Sequence, residues 1–173
     1  MKLLQSILHK AKFSPFYLWV FNRLLWRLIP YNHSHKITIL SISDTAVTVK
    51  LPYRKSNQNH LKGMHACALA TLCEYACGIG LMTRLDPKLY RIILKEIKLT
   101  YHAQGKTDVF ANFDIDAQQL DAEILNSLAT QGTIDKICIV KAMDKHQKII
   151  CTGEITWQLK RWDKVNYKQK PHS

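Results

Sequence analysis

The chain has 173 residues, 47% of them hydrophobic, which is enough for one sizeable core and too apolar for a disordered protein. The net charge of +12 favours an anionic partner: nucleic acid, a membrane surface or a phosphate-bearing small molecule. The basic residues are dispersed, with no helix-turn-helix or base-stacking signature, which argues against nucleic acid.

In chain order, the first 43 residues carry Lys2, Lys10, Lys12, Arg23, Arg27 and Lys36 and no Asp or Glu. Phe13 to Ile29 is rich in large apolar residues, yet Asn22, Arg23 and Arg27 interrupt it. A spanning helix needs about 20 residues with few or no charges, and this run falls short. It has no small-residue cleavage site after its apolar part, so it does not read as a signal peptide. It reads as an amphipathic helix with Pro15 in its first turn and Pro30 as its stop. Two roles stay open for it: packing on the domain or a partner subunit, and lying on a membrane surface.

Ile37, Ile39, Val47, Val49 and Leu51 then alternate with polar residues around Ser43-Asp44, as in a hairpin. Pro52 to Lys62 is a polar loop. A helix follows from about Met64 to Met82, in which Glu74 is the only formally charged residue. Apolar on every side, such a helix is expected to be wrapped by the rest of the protein. Alternation resumes over Tyr90–Ala103, with Ile93, Ile97, Leu99 and Tyr101 on one face, and over Val109–Ile115. A polar helix spans about Asp116–Gln131, with Leu120, Ile124, Leu125 and Leu128 at helical spacing. Ile137–Met143 and Ile149–Leu159 complete a set of about six strands. The expected fold is α+β, a curled antiparallel sheet around one long central helix. The divisions are an N-terminal basic helix at 1–30, one domain at 31–162 and a basic tail at 163–173.

Five cysteines, Cys67, Cys73, Cys77, Cys138 and Cys151, include no Cys-x-x-Cys pair. They read as buried, reduced thiols of a cytoplasmic protein, with no metal expected.

Glu74 is the anomaly. Its neighbours at three-and-four spacing, Cys67, Ala70, Thr71, Cys77, Gly78 and Leu81, are small or apolar. A lone carboxylate there is unfavourable unless paired, hydrogen-bonded or protonated, and desolvation raises its pKa toward the range of a general base. The loop before the helix brings Asn59, His60, Gly63, Met64 and His65 to its N-terminus. Free N–H groups and the positive end of the helix dipole make that end a natural oxyanion site. Gly63 permits close approach of a ligand.

The run Asn59-His-Leu-Lys-Gly-Met-His65-Ala66-Cys-Ala-Leu-Ala-Thr71-Leu-Cys-Glu74-Tyr-Ala-Cys-Gly78 resembles the central motif of the hotdog-fold thioesterases, in particular the PaaI-like kind and a neighbouring group classed as a domain of unknown function. That motif has an Asn in the loop, a Gly-x-His-(small) entry to the helix and an acidic residue nine positions after the His. The element order over about Ile37–Leu159 fits the same fold, and the first 30 residues lie outside the resemblance. The resemblance implies a homodimer or tetramer with an acyl-CoA thioester bound at the subunit interface, and no cofactor beyond the coenzyme A of the substrate. It implies Glu74 as base or nucleophile, Asn59 orienting the thioester, and backbone around His65 and Ala66 polarising its carbonyl. His60, Gly63, Met64, Ala66 and Thr71 would contact the substrate. Better-known members commonly carry His-Gly-Gly where this chain has His65-Ala66-Cys67, which narrows the approach to those N–H groups.

Two rival functions compete. A hydroxyacyl-thioester dehydratase pairs a loop His with a helix carboxylate, as His60 and Glu74 would, but Leu61-Lys62 replaces the usual Phe-Pro. A non-catalytic acyl-CoA-binding module keeps the pocket without the hydrolysis. The expected location is the cytoplasm, with residues 1–30 available for peripheral contact at the inner membrane surface.

Overall fold

The computed structural model describes residues 2–114 and 117–165. Ile115, Asp116, the side chain of Leu120 and the basic tail beyond 165 lie outside the described residues.

Three helices open the chain: α1 (Lys2–Ala11), α2 (Pro15–Leu28) and α3 (Pro30–His35). The sequence reading expected one. Pro30 does end α2, but a proline's fixed φ also suits the first helical position, and it starts α3. These helices share the main core: Ile7, Leu8, Phe21 and Leu25 are buried. Asn22 ties α2 to the first strand, β1 (Thr38–Ile42). Its Nδ2 donates to the Ile39 carbonyl at 2.9 Å and its Oδ1 accepts from the Ile39 N–H at 2.8 Å. The Trp26 indole donates to the Ile37 carbonyl at 2.7 Å. Side chains of α2 thus fill the outer edge of β1 as a neighbouring strand would.

β1 and β2 (Ala46–Leu51) form the expected hairpin. Ser43 Oγ accepts from the Thr45 and Ala46 N–H groups and fixes the turn. The central helix α4 (Ala66–Met82) follows, then β3 (Tyr90–Tyr101), β4 (Val109–Asp114), α5 (Ala117–Thr130), β5 (Thr133–Asp144) and β6 (Ile149–Arg161). The described residues form one six-stranded sheet in the order β1-β2-β4-β5-β6-β3, every neighbour antiparallel. The sheet curls around α4, which packs against β2, β4, β5 and β6. Leu72, Cys73, Ala76, Cys77 and Leu81 are fully buried against it. Each large aliphatic side chain so buried contributes roughly 1.5–3 kcal/mol.

Two expectations need correction. The apolar helix is not wrapped on every side. A stripe along it stays uncovered: Ala66 and Cys67 are exposed, and Ala70, Thr71, Glu74 and Gly78 are half-buried. One sheet covers only the side of a helix that rests on it, so the opposite stripe is left to whatever lies beyond. The alternation over Tyr90–Ala103 is also interrupted. The β3–β6 register shifts between Leu94 and Glu96, as a bulge requires. Leu94 pairs with Trp157 and Ile97 with Ile155, both turned to the helix, whereas Ile93 pairs with Gln158 on the outer face. As the last strand of the sheet, β3 exposes residues of both faces along most of its length.

Candidate functional site

The start of α4 is held by a network around Asn57, which is fully buried. Its Nδ2 donates to the carbonyls of His35 and Pro52, and its backbone carbonyl accepts from the His65 N–H at 2.8 Å. Asn59 shapes the loop: its Oδ1 accepts from the N–H groups of Leu61 and Gly63, both at 3.0 Å. Lys62 takes a left-handed backbone (φ 55°) between them. Gly63 is buried, and a Cβ there would lie 2.5 Å from Gln104 Cγ. Its missing side chain makes room for Gln104 rather than for a ligand. Met64 is likewise buried in the core. His60 is exposed.

His65 caps the helix: its Nδ1 accepts from the Cys67 N–H at 3.1 Å. The His65 and Cys67 amides are therefore both engaged. The Ala66 N–H, at the first helical position, has no hydrogen-bond partner among the described residues. It is a donor left for a ligand at the positive end of the dipole. Tyr101 at the end of β3 donates its hydroxyl to the Ala66 carbonyl at 3.1 Å, which fixes that peptide.

Glu74 lies a little over two turns beyond Ala66, about 12 Å by helical rise. It lines a recess of about 400 Å³ with Thr71, Tyr75, Asn32, Leu94 and Ile97. Cys67 and Ala70 of α4 and Ile29 and Tyr31 of the α2–α3 corner complete the wall. Thr71 turns its hydroxyl back to the Cys67 carbonyl at 2.9 Å. Among the described residues nothing hydrogen-bonds or ion-pairs with the Glu74 carboxylate, and burial pushes its pKa up to about 7. A carboxylate raised toward neutral pH is suited to accept a proton and return it.

The Tyr75 hydroxyl is buried and has no hydrogen-bond partner among the described residues. Burial first, and the charge of Glu74 second, push the Tyr75 phenol above its ordinary range. Asn32 is a second buried polar side chain on this wall. The recess is thus mostly apolar, with Glu74, Asn32 and Thr71 among its polar residues.

Of the residues singled out from sequence, one chain brings only Glu74 and Thr71 into this recess. Asn59, His60, Gly63, Met64, His65 and Ala66 belong to the loop and the first turn of α4 and do not line it. Asn32, Tyr75 and the hub Asn57 were not foreseen. Proline's preference for the first turn was the available signal for α3, and with it for Asn32. Tyr75 follows Glu74 directly, but a tyrosine on an apolar helix reads as core. Cys67 also departs from expectation: it is exposed, while Cys73, Cys77, Cys138 and Cys151 are buried, and all five are free. No three His, Cys, Asp or Glu side chains cluster as metal ligands among the described residues.

The sequence pattern of the family described as "Domain of unknown function (DUF4442)" matches residues 18–159, from within α2 to the end of β6. The chain belongs to the DUF4442 family. Several solved structures share the architecture of this DUF4442 chain. One is a Pseudomonas aeruginosa protein of unknown function described as a "Probable Thioesterase". It has a TM-score of 0.75 and 21% identity, over 81% of this chain and 93% of that one. A Haemophilus influenzae thioesterase has a TM-score of 0.66 and 12% identity, over 94% and 99% of the two chains. A Staphylococcus aureus thioesterase has a TM-score of 0.62 and 17% identity, over 76% and 98%. No curated protein matches this one. The fold of this DUF4442 member is the hotdog fold.

Proposed function

We propose that this chain is an acyl-CoA thioesterase that works as a homodimer or a dimer of dimers, with Glu74 as its general base. The observation that carries the reading is the unpaired Glu74 carboxylate, raised to about pH 7 in an apolar recess. The hotdog fold and the thioesterases that share it support the reaction class. The free Ala66 N–H supplies an oxyanion donor. Because Ala66 and Glu74 of one chain stand about 12 Å apart along the helix, one thioester carbonyl does not reach both. Pairing of two β3 edges, which leave their outer backbone groups open, would bring the Ala66 end of the partner subunit toward Glu74. Asn59 of the partner subunit would orient the thioester, with the exposed His60 beside it.

In this reading Glu74 takes a proton from water as the water oxygen attacks the thioester carbon. The oxyanion is held by the partner subunit's Ala66 N–H. Collapse breaks the carbon–sulfur bond, and the departing coenzyme A thiolate takes the proton from Glu74. The products are a carboxylic acid and coenzyme A, and no cofactor or metal takes part. The buried free thiols suit a reducing compartment such as the cytoplasm.

The test is a hydrolysis panel across short, long and aryl acyl-CoAs with wild type and Glu74→Ala. Loss of turnover by about 10²–10⁴-fold with acyl-CoA binding retained is the expected result. A wild type that binds acyl-CoA and never turns any of them over would make the chain a binding module instead.

A further inference from the structure

We propose that α2 and the α2–α3 corner form a docking face for an anionic lipid bilayer. Phe13, just before α2, and Phe16 and Trp19 on it are 75%, 65% and 55% exposed. With Arg23 and Arg27 they run down one side of the helix at three-and-four spacing. The rings of Phe16 and Trp19 stack with centroids 6.3 Å apart. Arg23 sits between two indoles, its Cζ 5.3 Å from the Trp19 ring and 5.2 Å from the Trp26 ring. Lys36 lies 4.8 Å over Trp26, and Lys10 lies 4.9 Å over Tyr17. A groove of about 540 Å³ opens here, lined by Trp19, Arg23, Trp26, Arg27 and His33 among others.

The charge is one-sided. No Asp or Glu occurs before Asp44, and Asp44 is engaged by Lys12 at 2.6 Å. None of Lys10, Arg23, Arg27 and Lys36 has a carboxylate partner among the described residues. The bare aromatic rings call for an apolar phase and the cations beside them for anions. A phosphodiester backbone offers the anions but no apolar phase. The interface of an anionic bilayer offers both: a boundary where Phe and Trp rings settle, and headgroup phosphates for Arg and Lys. No helix of the described residues is long and apolar enough to cross a membrane, so the contact lies on the surface.

The same corner leads to the recess. Trp26, Arg27 and His33 line the basic groove, while Ile29, Tyr31 and Asn32 line the Glu74 recess. Docking would set the mouth of that recess beside the headgroup layer, where long acyl thioesters partition. This last link rests on the proposed hydrolysis; the docking does not, and it is measured without a thioester.

The experiment is co-sedimentation of the full chain with phosphatidylcholine vesicles, with and without phosphatidylglycerol, at low and high salt. Binding is expected only with phosphatidylglycerol, weakening as salt rises. Arg23→Gln with Arg27→Gln should lower the partition coefficient about 25-fold, at about fivefold per cation. Phe16→Ser with Trp19→Ser should lower it about tenfold or more. Should that pair fail to fold, brominated lipid decides on the native protein. It should quench tryptophan emission in wild type and in Trp162→Phe, and much less in Trp19→Phe with Trp26→Phe. Equal binding to neutral vesicles, or binding untouched by these substitutions, would overturn the proposal. So would a smaller oligomer in the aromatic variant with vesicle binding intact, which would make the face a subunit contact. Binding to duplex DNA with none to vesicles would overturn it as well.

Discussion

Glu74 has an ordinary pKa of 4.5 and reaches about 7 in the fold because burial disfavours its charge. Between those values the folded protein holds a proton that the unfolded chain has released. Stability from this group is therefore full below about pH 4.5, falls as pH rises through the window, and is gone above about pH 7. Glu74→Gln, which cannot ionise, should raise the melting temperature at about pH 8 and change it little at about pH 4.5. The expected gain at the higher pH is of order 1–3 kcal/mol. Equal effects at both pH values in thermal melts would mean that a cation already neutralises Glu74. The residue itself was legible in sequence, since one carboxylate in a long chargeless helix stands out by composition alone. Asn32 and the Tyr75 hydroxyl were not, because what marks them is which distant wall they face.

At the scale of elements, Asn22 stands in for a strand. Its amide satisfies both the N–H and the C=O of Ile39, and all of these groups are buried. Asn22→Ala leaves both unpaired and should cost about 2–3 kcal/mol, read as a lower urea midpoint with an unchanged slope. A loss within a few tenths of a kcal/mol would mean that water reaches Ile39. Periodicity located the β1–β2 hairpin, α4, β4 and β6 because each carries its pattern within its own residues. The turn between β5 and β6 is held by Asp144, whose Oδ1 accepts from the His146 and Lys148 N–H groups. α1 carries Leu4, Ile7, Leu8 and Ala11 at helical spacing, but it was not expected, because the more conspicuous aromatic run follows it. The bulge in β3 was not legible. It follows from where β3 lands in the sheet, which its own alternation does not encode.

At the scale of the molecule, β3 exposes Ile93, Leu94, Ile97 and Tyr101 on a strand with a neighbour on one side only. Under the proposed dimer, sedimentation equilibrium should return at least twice the 20.0 kDa chain mass. Ile93→Lys with Ile97→Lys should shift the protein toward monomer by adding like charges across the two-fold axis. A wild type that stays monomeric while hydrolysing thioesters would remove the partner subunit from the mechanism. The two ends of the sheet differ in kind. At β1 the outward groups of Ile37 and Ile39 are occupied by Trp26 and Asn22; at β3 no further strand pairs with them among the described residues. A sheet with one sealed margin and one open margin can be extended once. Under the proposed dimer, two copies joined at their open margins would present only the margins that Trp26 and Asn22 occupy, so strand-by-strand growth into a fibre would end at two chains. The short helix that reads as an appendage to the fold is thus also what gives its sheet a last strand.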